Sequence, residues 1–408
     1  MNATSRRAVV AAIGLLGCLC GPAPPAGAST ADWSQASFFV DPEDDSCRPG
    51  ICDPPPPVAT VRGEPGERND LSIVREGETL VIRDAGAPLS AGDRCTAQVD
   101  GSVRCPGASL SVLAGDGDDK VVDGAAGTVD GGPGNDVLVS GGTVSGGDGN
   151  DALAGGVSLD GGAGDDVLSA GDGPQTLTPG PGGDRVTAGA GDDLIVDEPA
   201  APAADLIDAG EGVDALLFTG RAAAVTVDLS PTGQSAGSAG ESNTISEFEL
   251  ASGGAGDDTL RLALPVAGVP ARARFSQLEL GRGDDRLTLA AEVRIRFLAG
   301  PGDDALSGSA GRDALEGGSG RDTVKGREGN DELRGGKDRD FVDGGAGRDR
   351  VYGGSGSDLI LGGAGNDRIS SVDRPRRADR VDCGAGAADS LRADRRDRAR
   401  RCERVQRR

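Results

Sequence analysis

The sequence predicts an all-β chain wound as a solenoid of short repeats, and three observations carry that expectation. A nine-residue period runs without a gap through residues 299–370. Gly supplies 70 of 408 residues, against a usual share of about 7%, with no every-third-residue spacing of the collagen kind. Aromatic residues make up only 2%, with one Trp and one Tyr, so whatever the chain buries lies in a thin layer.

Cut every nine residues, 299–370 gives AGPGDDALS, GSAGRDALE, GGSGRDTVK, GREGNDELR, GGKDRDFVD, GGAGRDRVY, GGSGSDLIL and GGAGNDRIS. Position six is always Asp: Asp304, Asp313, Asp322, Asp331, Asp340, Asp349, Asp358 and Asp367. Position eight is always aliphatic: Leu306, Leu315, Val324, Leu333, Val342, Val351, Ile360 and Ile369. Position four is Gly in seven units, with Asp338 the exception. The last three residues of each unit read as a short strand whose middle side chain points inward.

This G-G-x-G-x-D-x-U-x pattern resembles the repeats-in-toxin, or hemolysin-type calcium-binding, family. Glycines at positions one, two and four are expected to carry the backbone through positive φ, and Asp338 is among the few residue types that tolerate it. Backbone carbonyls freed by so tight a turn, with the Asp carboxylate, form an all-oxygen set suited to Ca²⁺. The resemblance implies a parallel β-roll, in which two nonamers form one 18-residue coil and same-side loops, two units apart, share an ion. Eight units then give four loops and three gaps per side, hence about six sites. In that arrangement Asp331 faces Asp313 and Asp349, and its two oxygens serve both neighbouring ions; Asp367, the outermost loop, serves one.

Earlier copies are less regular. GGPGNDVLV (131–139), GGDGNDALA (146–154) and GGAGDDVLS (161–169) recur every 15 residues and place Asp136, Asp151 and Asp166 at position six. Their six-residue spacers are expected to turn the opposite side of the coil without an ion. Looser copies at 114–122, 188–196, 253–261 and 280–288 add Asp119, Asp193, Asp258 and Asp285, while 179–187 and 209–217 are more eroded. The candidate metal ligands are these seven aspartates and the eight of the regular array, holding several Ca²⁺ ions.

Charge narrows the function classes. The formal net charge is −24 with no histidine, which disfavours nucleic acid and anionic membranes and removes His-based catalysis and the usual zinc ligands. Residues 114–169 carry eleven acids against one Lys, a net of −10 that bound cations would hold together. The thin core points the same way, so ion binding and folding are expected as one event. The G-x-G triplets open no βαβ unit, and the Asp-rich stretch at 116–119 lacks the Glu and spacing of an EF-hand loop.

Residues 1–28 read as a signal peptide: Arg6 and Arg7, the apolar run Ala8–Leu19, then Ala26-Gly27-Ala28. The run is too short to span a membrane, and a lipoprotein box at Leu15–Cys18 and a twin-arginine signal at Ser5–Arg7 stay open as variants. Six cysteines remain beyond it, as Cys47/Cys52, Cys95/Cys105 and Cys383/Cys402; local pairing is the simplest of the 15 connectivities. Residues 29–113 are expected to form a disulfide-bearing β module with the Pro54–Pro57 linker, capping the first coil. The repeat blocks follow at 114–217 and 253–370, separated by a strand-rich connector at 218–252. Residues 371–408, with thirteen Arg against seven acids, form an Arg-rich cap, read as a short helix from Asp389.

The functional expectation is a secreted, extracellular calcium-binding protein with a structural, adhesive or cell-surface role. Its partners are calcium ions, with cell-envelope polymers or other surface proteins as candidates. The alternative is a secreted hydrolase or toxin-like protein using the repeats as a calcium-triggered folding tail. Only about 85 residues precede the repeats after the leader, with no H-E-x-x-H and no G-x-S-x-G context, so no catalytic residue is assigned.

Overall fold

A computed structural model describes residues 58–408 apart from 64–65, 67, 86–88, 90–94, 107–108, 198–203, 219–220, 231–232, 239–242, 247, 249, 263–276, 291–295 and 373–376. The leader, Cys47, Cys52 and the proline linker lie outside the described residues. Every regular element among the described residues is a β-strand.

The Asp-x-aliphatic triplet explains the architecture. Each triplet starts a strand of three to six residues; the aliphatic residue faces inward and its neighbours face outward. Successive strands alternate between two faces of a flattened coil and pair in parallel with the strand one turn away. In the regular array one face carries Ala314–Ser319, Glu332–Lys337, Arg350–Ser355 and Arg368–Ser371. The other carries Ala305–Ser307, Thr323–Lys325, Phe341–Asp343 and Leu359–Leu361. Pairs such as Leu333↔Val351 and Val324↔Val342 fix the coil at 18 residues. Between the faces lie two files of aliphatic side chains, Leu315, Leu333, Val351 and Ile369 against Leu306, Val324, Val342 and Ile360, all at most 3% exposed.

In the first block Thr143 pairs with Ser158 and Ala152 with Val167, a 15-residue coil. The spacer there makes a tight turn at Ser140–Gly142, closed by Gly142 N–H donating to Ser140 Oγ at 3.1 Å. The N-terminal segment joins both ladders: Val58–Arg62 pairs with Ser109–Leu113, and Asp70–Glu76 pairs with Lys120–Asp123 and with Thr79–Asp84 across a turn at Gly77. A Cys95–Cys105 disulfide ties this end.

The connector inserts an antiparallel hairpin, Val225–Ser230 with Gly233–Ser238, whose flanks rejoin the ladder at Thr259–Leu262 and Leu206–Asp208. Phe218 and Phe248 widen the core there, and Arg221 pairs with Asp197 in a buried ion pair.

The C-terminal helix expectation is corrected. Residues 380–407 continue the coil as Arg380–Asp382, Ser390–Ala393, Arg398–Arg400 and Arg404–Arg407, tied by Cys383–Cys402. Asp389-Ser390-Leu391 repeats the Asp-x-aliphatic triplet, and burying Leu391 in the core outweighs Arg/Asp pairs on a solvated helix. The final strand is exposed throughout, and its arginines oppose edge-to-edge pairing with another chain.

Candidate metal centre

All fifteen candidate aspartates, from Asp119 to Asp367, are at most 2% exposed. They stand in files along the two edges of the roll, and each file is a hydrogen-bonded ladder. On one edge Asp313 N–H donates to Asp331 Oδ1 (2.9 Å), Asp331 to Asp349 (2.8 Å), Asp349 to Asp367 (2.9 Å) and Asp367 to Asp389 (2.8 Å). On the other the chain runs Asp258, Asp285, Asp304, Asp322, Asp340, Asp358, Asp379, with bonds of 2.7–3.0 Å. The first block repeats the device through Asp119, Asp136, Asp151, Asp166, Asp184 and Asp205. Asn69 donates into one end of this file and Asn243 Oδ1 accepts at the other.

The ladder distinguishes the two oxygens of Asp331, both expected to serve ions. Its Oδ1 is taken by Asp313 N–H, which leaves Oδ2. The Oδ2 atoms of Asp136, Asp151, Asp166, Asp322, Asp331, Asp340, Asp349 and Asp367 are buried without a hydrogen-bond partner. Such orphans are costly in a metal-free fold and are the natural place for a cation.

Position-one glycines show where the space is. A Cβ built on Gly326 would overlap both Asp331 Oδ2 and the carbonyl oxygen of Gly344, one coil on. Gly344 stands likewise between Asp349 Oδ2 and Gly362 O, and Gly362 between Asp367 Oδ2 and Cys383 O. Oxygens from two successive same-side loops thus converge on each gap. Position one is therefore Gly because a side chain would fill the gap. Positive φ falls instead at positions two and four, as at Gly345 (94°) and Gly347 (143°). Arg327 (75°) and Asp338 (76°) adopt it without being glycine.

The donors fit Ca²⁺: a carboxylate oxygen, backbone carbonyls and no nitrogen or sulfur. Among the described residues no three acidic or Cys side chains gather into one cluster. A site here would accordingly take most of its oxygens from the backbone.

Two candidates differ from the rest. Ser309 N–H and Oγ donate to Asp313 Oδ2 (2.6 and 3.1 Å), and Gly254 N–H donates to Asp258 Oδ2 (2.6 Å), so a metal would compete with the local turn. The ladders also hold Asp184 and Asp214, from the eroded copies at 179–187 and 209–217 and not among the fifteen candidates, and three aspartates that the repeat pattern passed over, Asp205, Asp379 and Asp389. The signal that finds the last three is the Asp-x-aliphatic triplet alone, as in Asp205-Leu206-Ile207 and Asp379-Arg380-Val381.

Electrostatics matches this geometry. Burial, with neighbouring carboxylates adding to it, pushes Asp340 up to about 8 and Asp322 and Asp331 up to about 7, against the lowering effect of the ladder N–H. Asp304 and Asp367 rise to about 6. A raised carboxyl favours the metal-free roll below its unfolded value and loses that contribution as pH climbs through the folded value. In chelator, β signal should therefore grow as pH falls from 8 to 5, and calcium affinity should weaken over the same interval. Far-UV circular dichroism checks both; a chelated chain indifferent to pH across this window contradicts the burial account.

Residues 178–197, 298–333 and 334–369 match the family model of the RTX calcium-binding nonapeptide repeat, in four copies. Among solved structures the chain is similar to the extracellular lipase LipA from Serratia marcescens, at 19% identity and a TM-score of 0.15. That likeness covers 51% of this chain and 32% of the lipase, so the chain spans about a third of that protein's length, and it carries no argument about activity. No curated protein matches the chain. Residues 178–197 and 298–369 are thus RTX-type calcium-binding nonapeptide repeats, a repeat that binds multiple Ca²⁺ ions, and they are wound into a parallel β-roll.

Proposed function

We propose that this is an exported protein of the cell exterior, with a structural or adhesive role, that folds when it meets extracellular Ca²⁺. The observation that carries the reading is the pair of buried aspartate ladders with their orphaned Oδ2 atoms. The leader-like residues 1–28 and the two disulfides support an oxidising destination. No helix among the described residues is long and apolar enough to cross a membrane. Candidate partners beyond calcium are envelope polymers and other surface proteins.

The fifteen candidates divide by the residue at position one. Eleven have Gly there: Asp136, Asp151, Asp166, Asp258, Asp313, Asp322, Asp331, Asp340, Asp349, Asp358 and Asp367. We assign these as ligands, with Asp258 and Asp313 the weakest because their turns compete. The other four, Asp119, Asp193, Asp285 and Asp304, follow Ala114, Ala188, Leu280 and Ala299, side chains fully buried at 0% exposure. These four keep the ladder while their gap is filled by carbon.

Gly326→Ala tests the assignment without touching a carboxylate. The new methyl should exclude an ion from the gap between the 326–331 and 344–349 loops, reducing the calorimetric calcium count by about one. Ala299→Gly should not reduce the count. An unaltered stoichiometry in Gly326→Ala, with the fold intact, removes the basis for the division.

A further inference from the structure

The acidic roll carries a groove of the opposite sign in its regular array. Arg312, Asn330, Arg348, Asp349, Arg350 and Arg368 line a space of about 280 Å³ where the turns of one edge meet the adjoining sheet face. Arg312 and Arg348 come from position five of their nonamers and Arg350 and Arg368 from position seven, so two directions converge. All four arginines are exposed, and among the described residues no carboxylate forms an ion pair with any of them. Arg350 and Arg368 are direct register partners on neighbouring strands, at the sheet spacing of about 4.8 Å.

Like charges side by side in a sheet are unfavourable unless something neutralises them. Elsewhere on the same face the chain supplies that neutralisation itself. Arg296 meets Glu316 and Glu332, and Arg334 meets the same two acids. On the opposite edge Arg321 is paired with Asp303 at 2.6 Å. Glu332 is also the register partner of Arg350 on its other side, but it is already paired with Arg296 and Arg334, so the supply of acids runs out at Arg350 and Arg368. The groove's one acid, Asp349, is the floor: buried, with Oδ1 accepting from Asp331 N–H.

We propose that this groove binds a phosphate ester group. Guanidinium forks pair with carboxylates and phosphates alike, but a carboxylate presents two oxygens in one plane and satisfies few donors. A phosphate monoester presents three oxygens in three directions and a charge near −2, which suits four guanidinium groups arriving from turn and strand. Asn330 adds a side-chain amide at the rim, its Oδ1 already accepting from Arg348 N–H at 2.9 Å. A long polyanion such as nucleic acid is disfavoured by the −24 net charge around so local a basic site.

The groove exists only on the folded roll, so the test uses the full calcium-loaded chain. Glycerol 3-phosphate and mannose 6-phosphate serve as probes in titration calorimetry, and glucuronate as the carboxylate comparison. Saturable binding of about one phosphate ester is expected, with glucuronate weaker. Arg350→Gln with Arg368→Gln should weaken it about tenfold or more, since charge-assisted bonds are lost. Arg312→Gln, in an exposed turn, should weaken it less, and Arg321→Gln on the far edge should leave it unchanged. Much tighter binding of the sugar phosphate would identify a glycan as the carrier; equal binding would identify the phosphate group itself as what is recognised. Circular dichroism with calcium separates the outcomes: an intact calcium response with no saturable phosphate binding overturns the groove and leaves the roll standing. Undiminished binding in the Arg350/Arg368 double variant overturns it too, by showing the phosphate held on calcium. Glucuronate binding as tightly as the esters rejects the phosphate assignment.

Discussion

Placed in excess chelator at pH 8, the chain should give a coil-like far-UV spectrum and an expanded radius, and millimolar Ca²⁺ should restore β signal and compaction. The ladders explain why the effect is large. Each edge stacks buried carboxylates at the strand spacing of about 4.8 Å, with only one aliphatic residue per nonamer to hold the coil. At pH 8 those groups must either ionise against one another or take up protons at a cost, because burial has lifted Asp331 to about 7 and Asp340 to about 8. A divalent cation seated between two loops removes the repulsion and gives the orphaned Oδ2 atoms a partner. Binding to the folded form alone then stabilises it by mass action. Mg²⁺ should not substitute, since it dehydrates reluctantly and demands a stricter octahedral geometry. A compact β spectrum persisting in chelator at pH 8 would refute the coupling.

The second large effect separates the two oxygens of a single aspartate. Asp331→Ala removes the acceptor of Asp313 N–H together with the free Oδ2. A buried donor left unpaired costs about 1–3 kcal/mol, in addition to the lost ion. Asp331→Asn keeps a carbonyl for the ladder and replaces Oδ2 by an amide that no cation can use. The chain itself uses this arrangement where a ladder ends, with Asn243 Oδ1 accepting from Asp205 N–H. Both variants should lose about one ion by calorimetry, because each carboxylate has one oxygen to give. The calcium-loaded melting temperature should fall further for Ala than for Asn. In Asp367→Asn the loss should be similar, since the coil continues past Asp367 to Asp389. Full stoichiometry in both Asp331 variants would show that Oδ2 is no ligand.

Much of this was legible in the sequence because the repeat is strict where the physics is strict. A strand must bury one side chain per pass, and the aliphatic column at position eight reports it. The Asp column is equally plain. Less legible was what each glycine is for, since composition cannot distinguish a residue needed for positive φ, such as Gly345, from one needed for empty space, such as Gly326. The division of labour between carboxylate oxygens was also hidden, because it depends on the backbone N–H one coil away, 18 residues distant in the chain. Glycine-poor members of the ladder, Asp205 and Asp379, escaped because the sequence before each has lost the repeat pattern while the Asp-x-aliphatic start of the strand has kept it. At the C-terminus, Arg/Asp spacing suggested a helix, but Leu391 had a core waiting for it. The arginine groove required the fold, since Arg312 and Arg368 lie three coils apart in sequence yet line one space.

The most direct test of the calcium centres is an anomalous difference map from crystals of the calcium-loaded chain, collected where calcium scatters anomalously. Two files of peaks are expected inside the edges of the 299–370 array. Each peak should lie between successive same-side loops, about 2.3–2.6 Å from an aspartate Oδ2 and a backbone carbonyl oxygen. The gap bounded by Gly326, Asp331 Oδ2 and Gly344 O should hold one of them. Peaks confined to exposed outer carboxylates such as Asp303, with the buried ladders empty, would contradict this placement.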